Sequence, residues 1–351
     1  MTPFALMLAG PITQVTGGHL YARRLVEGLR ARGIAVAVLE LPGRFPKADD
    51  EARAAAARAL AGLADGKVAV IDGLTLPAFR DCLERETSRR KIIALVHHPL
   101  PDETGIGAAA AEEFRALEAR LLPMLRGVIC PSVRTADAVA AYGVPRARIA
   151  LVPPGTMKPA TLAPRAAHEG PLRLLSVATV TPRKGHALLI EALARLSAQP
   201  WRLTIIGSLD RDPATVAAVR AAIARHGLGA RVELAGEWEQ ERLGAAYAAA
   251  DIFVLPSYHE GFGMAFAEAL AHGLPIIATT GGAIPETVPE AAGLLVPPGD
   301  GAALASALRR VLEDGTLRAA LARGAAAAGR GLLGWDEAVG RWIAATGAFF
   351  A

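Results

Sequence analysis

The chain has 351 residues, of which 52% are hydrophobic, 5% aromatic and 21% charged, with a formal net charge of +4. At about 150 residues per domain this leaves room for roughly two domains with sizeable cores of small aliphatic residues. These figures exclude disordered, collagen-like and disulfide-scaffold classes.

The N-terminus is apolar only as far as Gly10 and lacks a basic leader, so it does not read as a secretory signal. No apolar run approaches the roughly 18 residues of a membrane-spanning helix. Continuous apolar runs at 4–8, 36–39, 68–71, 92–96, 128–130 and 149–152 predict strands buried on both faces of a parallel sheet. Helical stretches at 19–31, 109–126 and 134–142 alternate with them. The βαβα order predicts a doubly wound α/β domain with right-handed crossovers.

Two basic clusters fall in this half: Arg23, Arg24, Arg30 and Arg32, then Arg89, Arg90 and Lys91. Such clusters are usually solvated faces; a phosphate-bearing substrate or an anionic membrane surface is the rarer explanation. Cys82 and Cys130 have neither CxxC spacing nor paired histidines nearby. They read as reduced thiols in a cytoplasmic protein rather than a zinc site.

Residues 153–171 are proline-rich with little apolar periodicity, and read as an interdomain linker. A second strand series is predicted at 172–177, 202–206, 232–235, 252–255, 276–278 and 294–296. Helical stretches intervene at 186–197, 213–226, 240–249, 264–272 and 302–313. The reading is two Rossmann-like α/β domains, at 1–160 and 171–334. In the tail, Trp335, Trp342 and Phe349 fall seven residues apart, one aromatic stripe on a helix. That stripe predicts that 335–351 packs back on the first domain.

Ligands of open α/β sheets bind beyond the carboxyl ends of the strands. After the run at 252–255, Glu260 precedes Gly261 and Gly263, and Glu268 follows eight residues after Glu260. Glycines at that turn let backbone N–H groups approach a ligand, and the helix N-terminus beyond favours an anion. A phosphate ester with two polyol ends fits two carboxylates placed this way. Taken alone, such a pair is more often a helix cap and a solvated helix residue.

The segment from Asp251 to Pro298 resembles the nucleotide-sugar-binding region of the family 4 retaining glycosyltransferases. The resemblance is carried by Asp251, Pro256, Ser257, EGFG at 260–263, Glu268, Ala269, Gly273, Pro275, GGAIPE at 281–286 and GLLVPPGD at 293–300. Gly17 and Gly18 before a helix ending at Arg32 and Gly33 resemble the family's N-terminal loop, and PRKG at 182–185 its lysine motif. Ser132, YGV at 142–144 and VPPG at 152–155 resemble its approach to the second domain.

The resemblance implies the GT-B fold, two Rossmann-like doubly wound parallel-sheet domains facing a central cleft, the first for acceptor and the second for donor. It implies that Lys184 contacts the donor diphosphate with the amides of Gly261, Phe262, Gly263 and Met264. Glu268 is then expected at the ribose, Glu260 at the transferred sugar, and Gly17 and Gly18 in the loop under the diphosphate. His97, in VHHP at 96–99, resembles the family's histidine near the reacting sugar. His98, Asp102 and Glu103 are acceptor-side candidates in the segment 97–107. Two positions depart from the pattern. Ala178 and Thr179 stand where the family often has Gly-Arg, which leaves Arg183 as the substitute cation, and Pro154 stands where Asn is usual.

The activity implied is retaining transfer of a sugar from a nucleotide diphosphate sugar to an acceptor hydroxyl of a sugar, lipid or small metabolite. Neither a metal nor another cofactor is expected, and no nucleic acid partner. A phosphorylase or epimerase on the same fold, or a non-catalytic sugar-nucleotide-binding subunit, remains as an alternative. A dinucleotide oxidoreductase is disfavoured because neither first βα turn offers GxGxxG.

Overall fold

A computed structural model describes residues 3–64, 66–162 and 169–350. The chain divides into two compact units, 1–155 with 335–351 and 156–334.

In the first unit the order is β1 (Phe4–Ala9), α1 (Gly17–Ala31), β2 (Val36–Leu41), α2 (Asp50–Ala61), β3 (Val68–Asp72), α3 (Leu83–Thr87), β4 (Lys91–Leu95), α4 (Ala108–Leu121), β5 (Gly127–Cys130), α5 (Val133–Ala141) and β6 (Ile149–Leu151). The strands pair in parallel in the order β2-β1-β3-β4-β5-β6. Strand alternation sends Ala5 and Met7 to one core, shared with α2, α4 and α5. Phe4, Leu6 and Leu8 point to the opposite face, where Tyr21, Leu25 and Leu29 of α1 are also buried. Helix α4 ends at Leu121 rather than 126, because Pro123 enters a 3₁₀ turn and has no N–H for the helical ladder.

The second unit runs β7 (Leu172–Val177), α6 (His186–Ala194), β8 (Trp201–Ile206), α7 (Pro213–Arg225), β9 (Val232–Leu234), α8 (Gln240–Ala249), β10 (Ile252–Leu255), α9 (Met264–Ala271), β11 (Ile276–Thr279), α10 (Ile284–Thr287), β12 (Gly293–Val296), α11 (Gly301–Glu313) and α12 (Gly315–Gly331). Its parallel order is β12-β11-β10-β7-β8-β9. Apolar cores fill both faces, one centred on Leu189, Leu203 and Leu308, the other on Phe253, Phe266 and Leu270.

Helix α13 (Trp335–Ala348) belongs to the first unit. Trp342 is buried and meets the Phe4 ring edge-on at 6.5 Å, while Trp335 meets Tyr21 at 5.8 Å. Arg32 of the α1 C-cap pairs with Asp336. Truncating a buried Trp costs about 3–5 kcal/mol, a large share of a typical stability, so this helix is integral to the unit.

The boundary between the units falls after Gly155, not at 160. Thr156 N donates to Leu333 O at 2.8 Å and Lys158 Nζ to Arg330 O at 3.1 Å, which ties 156–162 to the second unit. Within the stretch read as linker, 163–168 lies outside the described residues. In each sheet the strand order reverses once, between β1 and β3 and between β7 and β10. Those switch points are where an open parallel sheet leaves a crevice beyond its carboxyl ends.

Candidate functional site

At the second unit's switch point, the turn after β7 lies directly on the loop after β10. Pro182–Lys184 form a 3₁₀ turn closed by Gly185 at φ +70°. A Cβ at Gly185 would stand 2.3 Å from Pro256 O, so only glycine permits this approach. Tyr258 N donates to Arg183 O at 2.8 Å, strapping the two loops together.

The approach delivers two cations to one carboxylate. Lys184 Nζ donates to Glu260 Oε1 at 2.6 Å, and Arg183 Nη1 to Glu260 Oε2 at 3.3 Å. The same guanidinium donates to His259 O at 2.8 Å, and Ser257 Oγ to Glu260 Oε1 at 2.6 Å. Burial of Glu260 raises its pKa, but Lys184 and Arg183 outweigh it and hold the carboxyl down to about 2. The backbone of Glu260 is fixed too, since Ala283 N donates to its carbonyl at 2.8 Å. The position read as lacking its second cation therefore has one nearby, from Arg183 rather than from 178–179.

Helix α9 starts just beyond, with Gly263 at φ +90° as its N-cap, so Gly261, Phe262, Gly263 and Met264 form the turn into its first residues. Glu268, one turn further, is buried too. It lines a cavity of about 680 Å³ with Tyr247, His272, Arg173 and Asp251, whose walls include neither Glu260 nor Lys184. Tyr247 stacks on His272 at 5.2 Å, and its phenol is raised by burial and then by the Glu268 charge. The two glutamates of the motif thus have different immediate neighbours.

The first unit has its own strand-end cluster. Gly17 and Gly18 open α1, whose N-cap Thr16 accepts from His19 N. A Cβ on Gly18 would come 3.3 Å from His97 Nε2. His97 Nε2 lies 3.0 Å from Asp72 Oδ2, and the Tyr21 ring meets the imidazole edge-on at 5.6 Å. Asp72 is itself fixed, its Oδ1 accepting from Leu74 N at 2.9 Å. His98 turns away to Glu103, Nε2 to Oε2 at 3.3 Å, while Asp102 closes the 3₁₀ turn Leu100–Asp102.

Sequence reasoning missed Asp72 and Glu118. Asp72 closes β3, beside the strand that leads to His97, so an acid at the end of an adjacent parallel strand was the available signal. Glu118 lies on the apolar stripe of α4 with Phe114, Leu117 and Leu121. A charge on that stripe is the sign of a buried polar partner. Both its oxygens accept from Leu100 N at 3.2 Å, and burial, with Asp102 nearby, raises its pKa to about 8.

Among the described residues, no three His, Cys, Asp or Glu side chains converge as metal ligands, and no helix is long and apolar enough to cross a membrane.

Residues 15–156 match the family model described as Glycosyltransferase Family 4, and 158–328 the one described as Glycosyl transferases group 1. A D-inositol 3-phosphate glycosyltransferase of Xylanimonas cellulosilytica is 35% identical over 58% of this chain and 52% of its own length. An MMP alpha-(1->4)-mannosyltransferase of Mycolicibacterium hassiacum is 30% identical over 64% of this chain and 57% of its own. The matches thus span about half the length of these curated relatives. Among solved structures, a sucrose-phosphate synthase from Thermosynechococcus elongatus superposes with TM-score 0.82 at 23% identity, covering 100% of this chain and 99% of that one. The Anabaena protein HepE, in complex with UDP and glucose, gives 0.75 at 19% identity and 98% of both chains.

Proposed function

Since this chain belongs to the family 4, group 1 glycosyltransferases, with the GT-B fold, we propose that it is a retaining glycosyltransferase. It moves a sugar from a nucleotide diphosphate sugar to an acceptor hydroxyl, without a metal. The observation that carries this reading is the convergence of Lys184 and Arg183 on Glu260 at the β7–β10 switch point.

In the reaction, the bond between the anomeric carbon and the diphosphate oxygen breaks, and negative charge grows on the leaving group. Lys184, Arg183 and the amides at 261–264 stabilise that charge; fixed donors and cations of this kind are usually the largest catalytic term. The acceptor hydroxyl bonds to the anomeric carbon on the face the diphosphate leaves, and its proton passes to a leaving phosphate oxygen. Glu260 is assigned to hydroxyls of the transferred sugar, and Glu268 to those of the ribose, reached from the neighbouring cavity it lines.

In the first unit we assign His97, oriented by Asp72, to the chemistry. Gly17 and Gly18 are assigned to the donor loop, and His98, Asp102 and Glu103 to the acceptor side. Support for a nucleotide diphosphate sugar donor comes from HepE, whose structures hold UDP with glucose and UDP-glucose. The buried free thiols Cys82 and Cys130 fit a cytoplasmic location.

The test is a screen of UDP- and GDP-sugars with alcohol acceptors in excess EDTA, with product anomers read by NMR. Transfer with retention is expected. Transfer to inorganic phosphate, or epimerised donor alone, would replace the reading with a phosphorylase or an epimerase. Donor binding without turnover over a broad acceptor panel would favour a non-catalytic subunit. Complete loss in EDTA, restored by a divalent cation, would end the metal-free part.

A further inference from the structure

We infer that Glu260 is a placeholder carboxylate that selects donors carrying a sugar and rejects bare diphosphates. This rests on the donor reading above and deepens it. Lys184 and Arg183 are the cations a diphosphate must use, and both are bound to Glu260, at 2.6 and 3.3 Å. An anion that takes them must displace the carboxylate.

Displacement has a consequence set by burial. Glu260 is only 7% exposed, and its remaining side-chain partner in the cluster is Ser257 Oγ at 2.6 Å. Its backbone is anchored, the carbonyl accepting from Ala283 N and lying against Gly282, so only the side chain can move, within buried surroundings. The paired cations keep it ionised near neutral pH, so a displaced Glu260 must either stay charged without them or take up a proton, and each has a cost. A bare diphosphate would therefore gain two cations and strand a buried charge, and removing one partner of a buried pair is strongly unfavourable.

A sugar nucleotide brings both halves of the exchange. Its diphosphate replaces the carboxylate at Lys184 and Arg183, while the sugar hydroxyls donate to the carboxylate in place of the cations. Once the sugar has been transferred, those hydroxyl donors are gone. Glu260 then competes for the cations again and drives the nucleoside diphosphate out. One residue thus favours loaded donor over spent product and over inorganic phosphates.

Calorimetry with inorganic pyrophosphate, UDP, GDP and the corresponding sugar nucleotides tests this on wild type, Glu260→Gln and Glu260→Asp. Glu260→Gln removes the competing charge and is expected to bind pyrophosphate and the spent nucleotide about tenfold tighter, with no gain for the sugar nucleotide. Glu260→Asp keeps the charge but draws it back by one methylene, so a smaller gain is expected, and it decides the matter if the glutamine variant does not fold. A merely structural Glu260 would give weaker binding on substitution, never tighter. Unchanged or weaker pyrophosphate affinity in the folded variants overturns the exchange, even where wild type binds sugar nucleotides. Tighter pyrophosphate binding with no nucleotide bound by any of the three proteins upholds the exchange and overturns the donor reading instead.

Discussion

Glu118 in the first unit and Glu260 in the second are both closed off from water, at 0% and 7% exposure, yet burial leaves them in opposite states. Glu118 has no cation among the groups acting on it. Its oxygens share one backbone N–H, that of Leu100, and Asp102 adds a like charge, so its pKa rises to about 8. Glu260 is under the same desolvation, but two cations and a hydroxyl reverse the sign and hold it near 2. Burial sets the cost of a charge, and neighbours decide whether the charge is kept. Neutral at pH 7, Glu118 acts as a strut under the segment that carries His97 to Glu103. Ionised, Glu260 is a working part of a charge cluster.

The comparison is broken most severely by removing the cation. Lys184→Ala should lower turnover about 10²–10³-fold, the usual loss for one preorganised charge partner. It should also move the Glu260 acid transition upward, toward the behaviour of Glu118. Steady-state kinetics and an acid titration of stability check both; near-normal turnover in a folded variant would count against the assignment.

The two carboxyls also make opposite pH predictions. Glu118 has a folded pKa of about 8 against 4.5 for the ordinary carboxyl, so the folded state holds the proton more tightly. Its contribution is complete below the lower value and is lost as pH rises toward the upper one, by about 1.4 kcal/mol per pH unit at most. Urea midpoints of wild type should therefore fall relative to Glu118→Gln between those limits; parallel profiles would show that the carboxyl does not titrate there.

On the acid side the sign reverses. Glu260 is lowered from 4.5 to about 2, so its contribution is present above the first value and disappears as pH falls to the second. Wild type should lose stability over that window relative to its own value at pH 6, and Glu260→Gln should lose less. An equally steep acid limb in both proteins would mean that other carboxyls dominate it.

The smallest effect is expected at Gly18→Ala. The added methyl would stand 3.3 Å from His97 Nε2, close enough to push the ring by a few tenths of an ångström. Turnover should drop roughly severalfold while stability changes by less than about 1 kcal/mol. A variant with full turnover would indicate that the placement of His97 has slack.

Much of the fold was legible because both sheets are parallel and buried, which turns strands into continuous apolar runs. All twelve strands among the described residues overlap the predicted segments, although β7, β8 and β9 carry polar residues within them. Helix α2, with DEARAAAARALA, was not singled out, since its many alanines leave no clear stripe. Helix α12 escaped for a similar reason, its alanines interrupted by glycines. At the site, Lys184 and Glu260 were each readable from their turns, but their mutual bond spans 76 residues and exists only because Gly185 lets two loops touch. Glu268 looked like a companion of Glu260 by spacing along one helix. Its side chain lines the cavity beside Tyr247, a neighbourhood that a count of residues cannot show.

The central claim is that the second unit holds a donor diphosphate at Lys184. Thermal unfolding of wild type and Lys184→Ala, each with and without the sugar nucleotide found active in the screen, tests it most directly. At about 100 times its Kd, a ligand confined to the folded state stabilises by about 2.7 kcal/mol. Wild type is expected to show that gain and Lys184→Ala to lose nearly all of it at the same ligand concentration. Equal stabilisation of both proteins would place the donor elsewhere and contradict the account.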